Sequence, residues 1–286
     1  MIAIKSIPTR RRAVLILTAA AILFSLSGVL IKSVAWDALP LNGGRSIIAA
    51  IVLTIYLRRP QFTFSGAQIG GAVAYTFTNL TFVIATQMTT AANAVFLQFS
   101  APIWVILMGY FFLREKPNRY DWGAVIAILI GMGLFFGESL SPSGMRGNIV
   151  AIFSGVGLAT LVVMLRKQKD GSPAETVILG SLLAFLIGTP FYASQTWSVG
   201  NLLPIVLLGV VQLGIAFILY SYAIKHLTAI EAMIIMTLEP ILNPILVAIG
   251  IGEIPSLLPM IGGLIVVAAV TVRGVLAANQ KDEAYD

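Results

Sequence analysis

The chain has no cysteine and a single histidine, His226. Disulfide frameworks, thiolate metal sites and cysteine nucleophiles are excluded, and a lone imidazole offers little to metal or acid–base chemistry. Charge is scarce as well. Only 10% of the 286 residues are charged, against about 25% in soluble domains. No G-x-x-x-x-G-K-[ST] phosphate loop occurs, so nothing in the chain would couple it directly to ATP, and no cofactor is implied. What is present is apolar: 58% of the residues are hydrophobic, with a mean hydropathy of +0.95.

Such a chain needs a bilayer as its first partner. In hydrocarbon every backbone N–H and C=O must be paired within the protein, which leaves helices or closed barrels. The apolar runs last about 20 residues without period-2 alternation, and that selects helices. Length, charge and Gly/Pro punctuation predict spans at 13–31, 42–57, 66–87, 91–113, 120–138, 147–165, 174–194, 201–224, 229–250 and 256–277. Arg10, Arg11 and Arg12 before the first run imitate a cleavable signal peptide, with Ser33-Val34-Ala35 as its cleavage site. The run is longer than the roughly 7–15 residues of a signal core, so it reads as a retained first span. The net charge of +6 does not point to nucleic acid, because the basic residues fall between apolar runs and form no patch. Lipid headgroups and topology account for them.

Shifting the sequence by 138 residues aligns Ala85 with Ala223, Thr90 with Thr228, Ala94 with Ala232, Pro102 with Pro240, Glu115 with Glu253 and Pro117 with Pro255, without a gap. This is the mark of a duplicated unit, and it divides the chain into 1–139 and 140–286. Five helices per copy is an odd number, so the second copy enters the membrane from the other side. Charge tests the inversion independently, since lysine and arginine stay cytoplasmic. With both termini cytoplasmic, every one of the 18 basic residues except Lys32, Arg45 and Arg146 falls on that side. The expected fold is an all-α integral membrane protein of ten transmembrane helices, arranged as two inverted five-helix repeats (5+5) around a central cavity. That is transporter geometry, in which one half rocks against the other.

The Ala-x4-Thr and following proline of each copy (Ala85, Thr90, Pro102; Ala223, Thr228, Pro240) recur with a Glu-x-Pro after the fourth and ninth spans. Together with Phe24-Ser25-Leu26-Ser27-Gly28 and with Arg45 near the start of the second span, they resemble the EamA family of the drug/metabolite transporter superfamily. The resemblance covers nearly the whole chain, and within the family it is strongest to the YddG-type exporters of amino acids, especially aromatic ones. It implies ten spans, a central cavity and export of small metabolites across a bacterial inner membrane. Where the family commonly has a tryptophan in the first span, this chain has Phe24.

Candidate site residues follow from depth and helical spacing. Glu239 lies about ten residues into the ninth span, where an acid must face protein or water. It reads as a proton-sensitive carboxylate or partner for a substrate ammonium, or else as a structural acid bonded to a neighbouring helix. Asn243 shares its face with Met236 and Ala232, and the shift maps that stripe onto Ala94, Gln98, Ala101 and Val105. These amides suit a shared cavity or interhelical hydrogen bonds. Tyr75, Asn79 and Phe82 line one face of the third span, and the eighth answers with Leu213, Phe217 and Tyr220. Such aromatics would stack on a planar solute or simply pack. Pro102, Pro240 and Pro244 should kink their helices as hinges or as fixed bends. Gly66/Gly70 and Gly133/Gly137 read as helix-packing pairs, Arg45 and Lys32 as attracting a carboxylate or steering an anionic substrate or else as snorkelling or pairing with Asp37, and Lys225, His226 and Glu231 as a solvated cluster or a gate.

The function expected is secondary, non-ATP export of small metabolites, amino acids foremost, by alternating access, with a proton as a candidate coupling ion. Efflux of cationic drugs or nucleosides is the nearest rival. A lipid-modifying intramembrane enzyme would need a nucleophile–base pair at depth, and one deep carboxylate and one peripheral histidine do not supply it.

Overall fold

An apolar chain in hydrocarbon has only its own backbone to bond with, and all regular structure among the described residues is helical. The computed structural model describes residues 9–113, 119–137, 142–167, 173–224, 226–227, 232 and 235–282. Glu115, Pro117, Lys225, Thr228 and Glu231, and part of the boundary expected near 139/140, lie outside the described residues.

In chain order the helices are α1 (Arg10–Lys32), α2 (Ala38–Leu57), α3 (Gly66–Met88), α4 (Ala91–Phe112), α5 (Arg119–Gly137) and α6 (Pro142–Lys167). They continue with α7 (Pro173–Ser194), α8 (Val199–Ala223), α9 (Leu238–Ile251) and α10 (Leu257–Asp282). Among the described residues, seven helices are long and apolar enough to cross a membrane: α1 to α4, Gly144–Leu165 within α6, α7 and α8. Leu238–Ile251 and Leu257–Arg273 are shorter apolar helices.

Polarity is turned inside out relative to a water-soluble protein. Ile69, Val73 and Phe77 form an exposed row on α3, as do Ile241, Ile245 and Ile249 on α9, while Thr76, Thr78, Asn148 and Ser154 are buried. Residues four apart share a helix face, so each row presents one continuous apolar strip to lipid. The turns are set by polar caps. Ser65 accepts from Gln68 N at 3.2 Å to start α3, and Thr90 accepts from Asn93 N at 3.1 Å to start α4. Gly252 ends α9 at φ +73°, the left-handed conformation a side chain disfavours.

Helix α3 packs on α6 and α7, α2 on α7 and α8, α1 on α8 and α9, α4 on α6, α9 and α10, and α5 on α10. Glycines sit at the closest crossings. A Cβ on Gly157 of α6 would lie 2.6 Å from Thr78 Oγ1 of α3, and one on Gly209 of α8 would lie 2.7 Å from the carbonyl of Arg45 and 2.5 Å from Ile48 Cβ. Of the expected glycine pairs, Gly70 packs against α6, where a Cβ would lie 3.1 Å from Met164 Sδ, whereas Gly66 and Gly133 face open space. Lipid tails and protein interior are equally apolar, so spacing alone did not reveal which glycine faced a helix. Gly209→Ala should therefore cost about 1–3 kcal/mol, because a backbone carbonyl cannot step aside. Gly133→Ala should be neutral or stabilising by up to about 1 kcal/mol through helix propensity. Melting temperatures of the two purified variants check the pair.

Three helices are interrupted or begin mid-bundle. Helix α1 breaks at Leu26, between Thr9–Ser25 and Ser27–Lys32. Helix α4 breaks at Phe99 and Ser100, between Ala91–Gln98 and Ala101–Met108. Helix α9 starts after a turn at Thr237, with Ala232, Ile235 and Met236 helical before it. Pro102 and Pro240 therefore sit in the first turns of helices, where their missing N–H leaves no intrahelical bond unmade. Pro244 alone of the three lies inside a helix, buried in α9. Helix α8 is wound as a π-helix over Leu208–Ile215, just beyond Pro204. Wider turns of this kind gather at functional sites.

Candidate functional site

The break in α1 lies against the start of α9. Ser25 Oγ donates to Ala21 O at 2.7 Å and reaches Glu239 O at 3.5 Å, and Asn243 Nδ2 donates to Ser27 Oγ at 2.9 Å. Serines on both sides of Leu26 thus bridge the two helices. Asn243 is fully buried, with its Oδ1 lying where a side chain on Gly28 would go. Glu239 occupies the first turn of α9, where the helix dipole favours a negative group. It is partly exposed, and no lysine, arginine or histidine among the described residues pairs with it.

Aromatic residues connect α1 and α8 with the cluster that holds Tyr75 of α3. Phe24, Tyr220 and Met236 pack on the buried cluster of Leu17, Ala20 and Ala223. Phe217 stands 6.2 Å from Tyr220, ring centre to ring centre, and packs on the neighbouring cluster that holds Tyr75. Phe217, Tyr220 and Met236 are only partly buried, whereas Tyr75 is 6% exposed. Contacts of this kind suit a solute with an apolar body.

Other candidates are placed elsewhere. Phe82 is buried in a separate cluster with Ile31, Trp36 and Val95. Gln98 donates to Ser154 Oγ of α6 at 2.7 Å, and Ser154 passes a hydrogen bond on to Thr78 O at 2.9 Å. Pro102 remains partly exposed in α4. His226 is exposed, its ring 4.9 Å from that of Tyr222.

Neither Arg45 nor Lys32 snorkels or pairs with Asp37. Asp37 accepts instead from Gln195 Nε2 at 2.9 Å. Arg45 is 1% exposed and donates to Asn42 and Asn79. Lys32 forms an ion pair with Glu253 and donates to Thr89 O at 2.8 Å, while Glu253 Oε1 accepts from Ala91 N at 2.7 Å. The end of α1, the α3–α4 turn and the segment after α9 are thereby tied together on one face. Trp36, Tyr192 and Trp197 cluster nearby, with Trp36 Nε1 donating to Thr196 O at 2.9 Å. Such aromatics mark a membrane interface.

Sequence reasoning passed over Ser25 and Ser27 as chemistry, and it passed over Gln212, a buried amide in the π segment whose Oε1 has no hydrogen-bond partner among the described residues. All three are polar groups in the middle of apolar runs, which is the signal that singled out Glu239.

Comparison with known proteins agrees with this picture. The EamA-like transporter family model matches the chain twice, over residues 11–137 and 145–273. An uncharacterized transporter of Archaeoglobus fulgidus is 28% identical over 268 residues, spanning 88% of this chain and 92% of its own. The threonine/homoserine exporter RhtA of Salmonella typhimurium is 30% identical over 210 residues, 68% of this chain and 64% of the exporter. A crystal structure of 20% sequence identity superposes with a TM-score of 0.65 over 94% of this chain and 99% of the other, a likeness of fold.

Proposed function

Because the chain belongs to the EamA-like transporter family, we propose that it is a secondary exporter of small metabolites, amino acids foremost, working by alternating access across the bacterial inner membrane. The observation that carries this reading is Glu239 in the first turn of α9, partly exposed, with no cationic partner among the described residues and its backbone against Ser25 of α1, whose neighbour Phe24 packs on one apolar cluster with Tyr220 and Met236. A carboxylate there suits the ammonium of an amino acid, and the rings suit its side chain, aromatic ones included.

The architecture proposed is ten spans in two inverted repeats, 1–139 and 140–286, with both termini cytoplasmic. Two family matches in one chain support it. So does the packing: adding or subtracting five converts the α3–α6 contact into α8–α1, α3–α7 into α8–α2 and α4–α6 into α9–α1, and maps α2–α7, α4–α9 and α5–α10 onto themselves. The break at Phe99 and Ser100 and the turn at Thr237 also correspond under the 138-residue shift. With the basic segments inside, the Lys32–Glu253 pair closes the outer face.

Cationic drug efflux is the second reading, since Glu239 would also attract an organic cation. Counterflow in proteoliposomes, with labelled amino acids, nucleosides and a lipophilic cation, separates the two. The expected result is exchange of amino acids that other amino acids inhibit and the cation does not. Exchange of the cation alone would overturn the proposal.

A further inference from the structure

Arginine stays charged in any protein environment, and burying its guanidinium without an acid is among the costliest placements available to a chain. Arg45 is buried all the same. Its Nε and Nη2 donate to Asn42 Oδ1 at 3.3 and 3.1 Å, and Nη2 also donates to Asn79 O at 3.3 Å and Asn79 Oδ1 at 3.1 Å. All these acceptors are neutral, and no acid among the described residues pairs with Arg45. The positive charge is held but not cancelled.

The arrangement has a consequence for Asn79. A guanidinium only donates, so it fixes the oxygen of the Asn79 side chain toward itself and turns the NH₂ group away. One N–H of that group donates to Tyr75 O at 3.1 Å, and an amide nitrogen has a second to give. Asn79 is partly exposed. At about 100° per residue it lies roughly 120° around α3 from the lipid-facing row of Ile69, Val73 and Phe77, on a different face from the one turned to lipid. A fixed N–H donor backed by an uncancelled cation is complementary to an anion. The 138-residue shift sharpens the point. Arg45 corresponds to Leu183 and Glu239 to Ala101, so neither charge has a counterpart in the other half of the scaffold, and the two charges are opposite.

We infer that Asn79 binds the carboxylate of the transported solute through its side-chain amide, and that Arg45 is the positioning residue that orients the amide and supplies the charge behind it. The site then selects zwitterions over cations and amines. This rests on the exporter reading and extends it from substrate class to the group that recognises the acid.

The test uses the purified full chain in proteoliposomes, with counterflow of labelled threonine and labelled phenylalanine as probes and the corresponding amino-acid amides as competitors. Wild type should prefer acid over amide by about tenfold to a hundredfold, the worth of one charge-assisted hydrogen bond. Asn79→Asp places an acid against Arg45, so the fold should melt no lower than wild type, while the acid loses its preference and the amide keeps its apparent affinity. Arg45→Gln should also abolish the acid-to-amide ratio. A fold defect alone would lower both substrates together and leave that ratio unchanged. Equal inhibition of wild type by acid and amide, or an unchanged ratio in Asn79→Asp, overturns the inference while leaving amino-acid export standing. Absence of counterflow by wild type with any amino acid overturns both.

Discussion

Glu239→Gln is expected to lower transport at least tenfold while leaving the protein folded. The substitution keeps the shape and hydrogen-bonding reach of the side chain and removes its charge. No cation partner among the described residues is stranded by the loss, because none pairs with Glu239. The fold contact at this residue is made by its backbone oxygen with Ser25, which the substitution does not touch. What disappears is the attraction for an ammonium group or proton, about 1.5–3 kcal/mol for a charge-assisted hydrogen bond, or roughly 10- to 100-fold in affinity. If the same carboxylate exchanges a proton during the cycle, wild-type transport will respond to a pH gradient and the variant will not. Normal transport by Glu239→Gln with and without a gradient would remove this residue from the mechanism.

The second large effect concerns the Lys32–Glu253 pair. Lys32→Glu sets two carboxylates against each other at a point where α1, the α3–α4 turn and the segment after α9 meet, and transport should fall by more than tenfold. Restoring opposite charges in the swapped double variant, Lys32→Glu with Glu253→Lys, should recover only part of the activity. The reason is local. Glu253 also accepts from Ala91 N in the first turn of α4, where the helix dipole favours an anion and opposes a lysine. Glu253→Lys alone should therefore be more damaging than Lys32→Met. Transport rates of the four variants in proteoliposomes check the ranking. Full rescue by the swap would mean that the contact with Ala91 carries no weight.

How far the sequence could be read depended on the range of the interaction concerned. Helix extents are local, set by apolar length against hydrocarbon thickness, and α3 at Gly66–Met88 lies close to the run read as 66–87. Thr90 and Pro102 stood out as repeat positions, and the structure supplies their reason: one caps α4 and the other opens its second half. The interruptions themselves were not legible. Proline in an apolar run signals a weak point, but the break falls two or three residues earlier, at Phe99 and Ser100 or at Thr237, where no residue forbids a helix. Partnership between distant residues was hidden as well. Lys32 and Glu253 are 221 positions apart, and nothing near either one names the other. Helical spacing put Asn243, Gln98 and Phe82 on promising faces. Spacing cannot say what stands opposite, and for these three it is Ser27, Ser154 and a packed apolar cluster.

The chain's lack of cysteine makes a direct test of alternating access straightforward. A single cysteine at Met236, partly exposed beside Tyr220, can be labelled with a membrane-impermeant maleimide from either face of sealed vesicles of known orientation. The expected result is labelling that substrate slows. Removing the Lys32–Glu253 pair with Lys32→Met should raise the rate from the outer face and lower it from the inner one. Labelling from one face only, unchanged by substrate or by Lys32→Met, would contradict a site that opens to each side in turn.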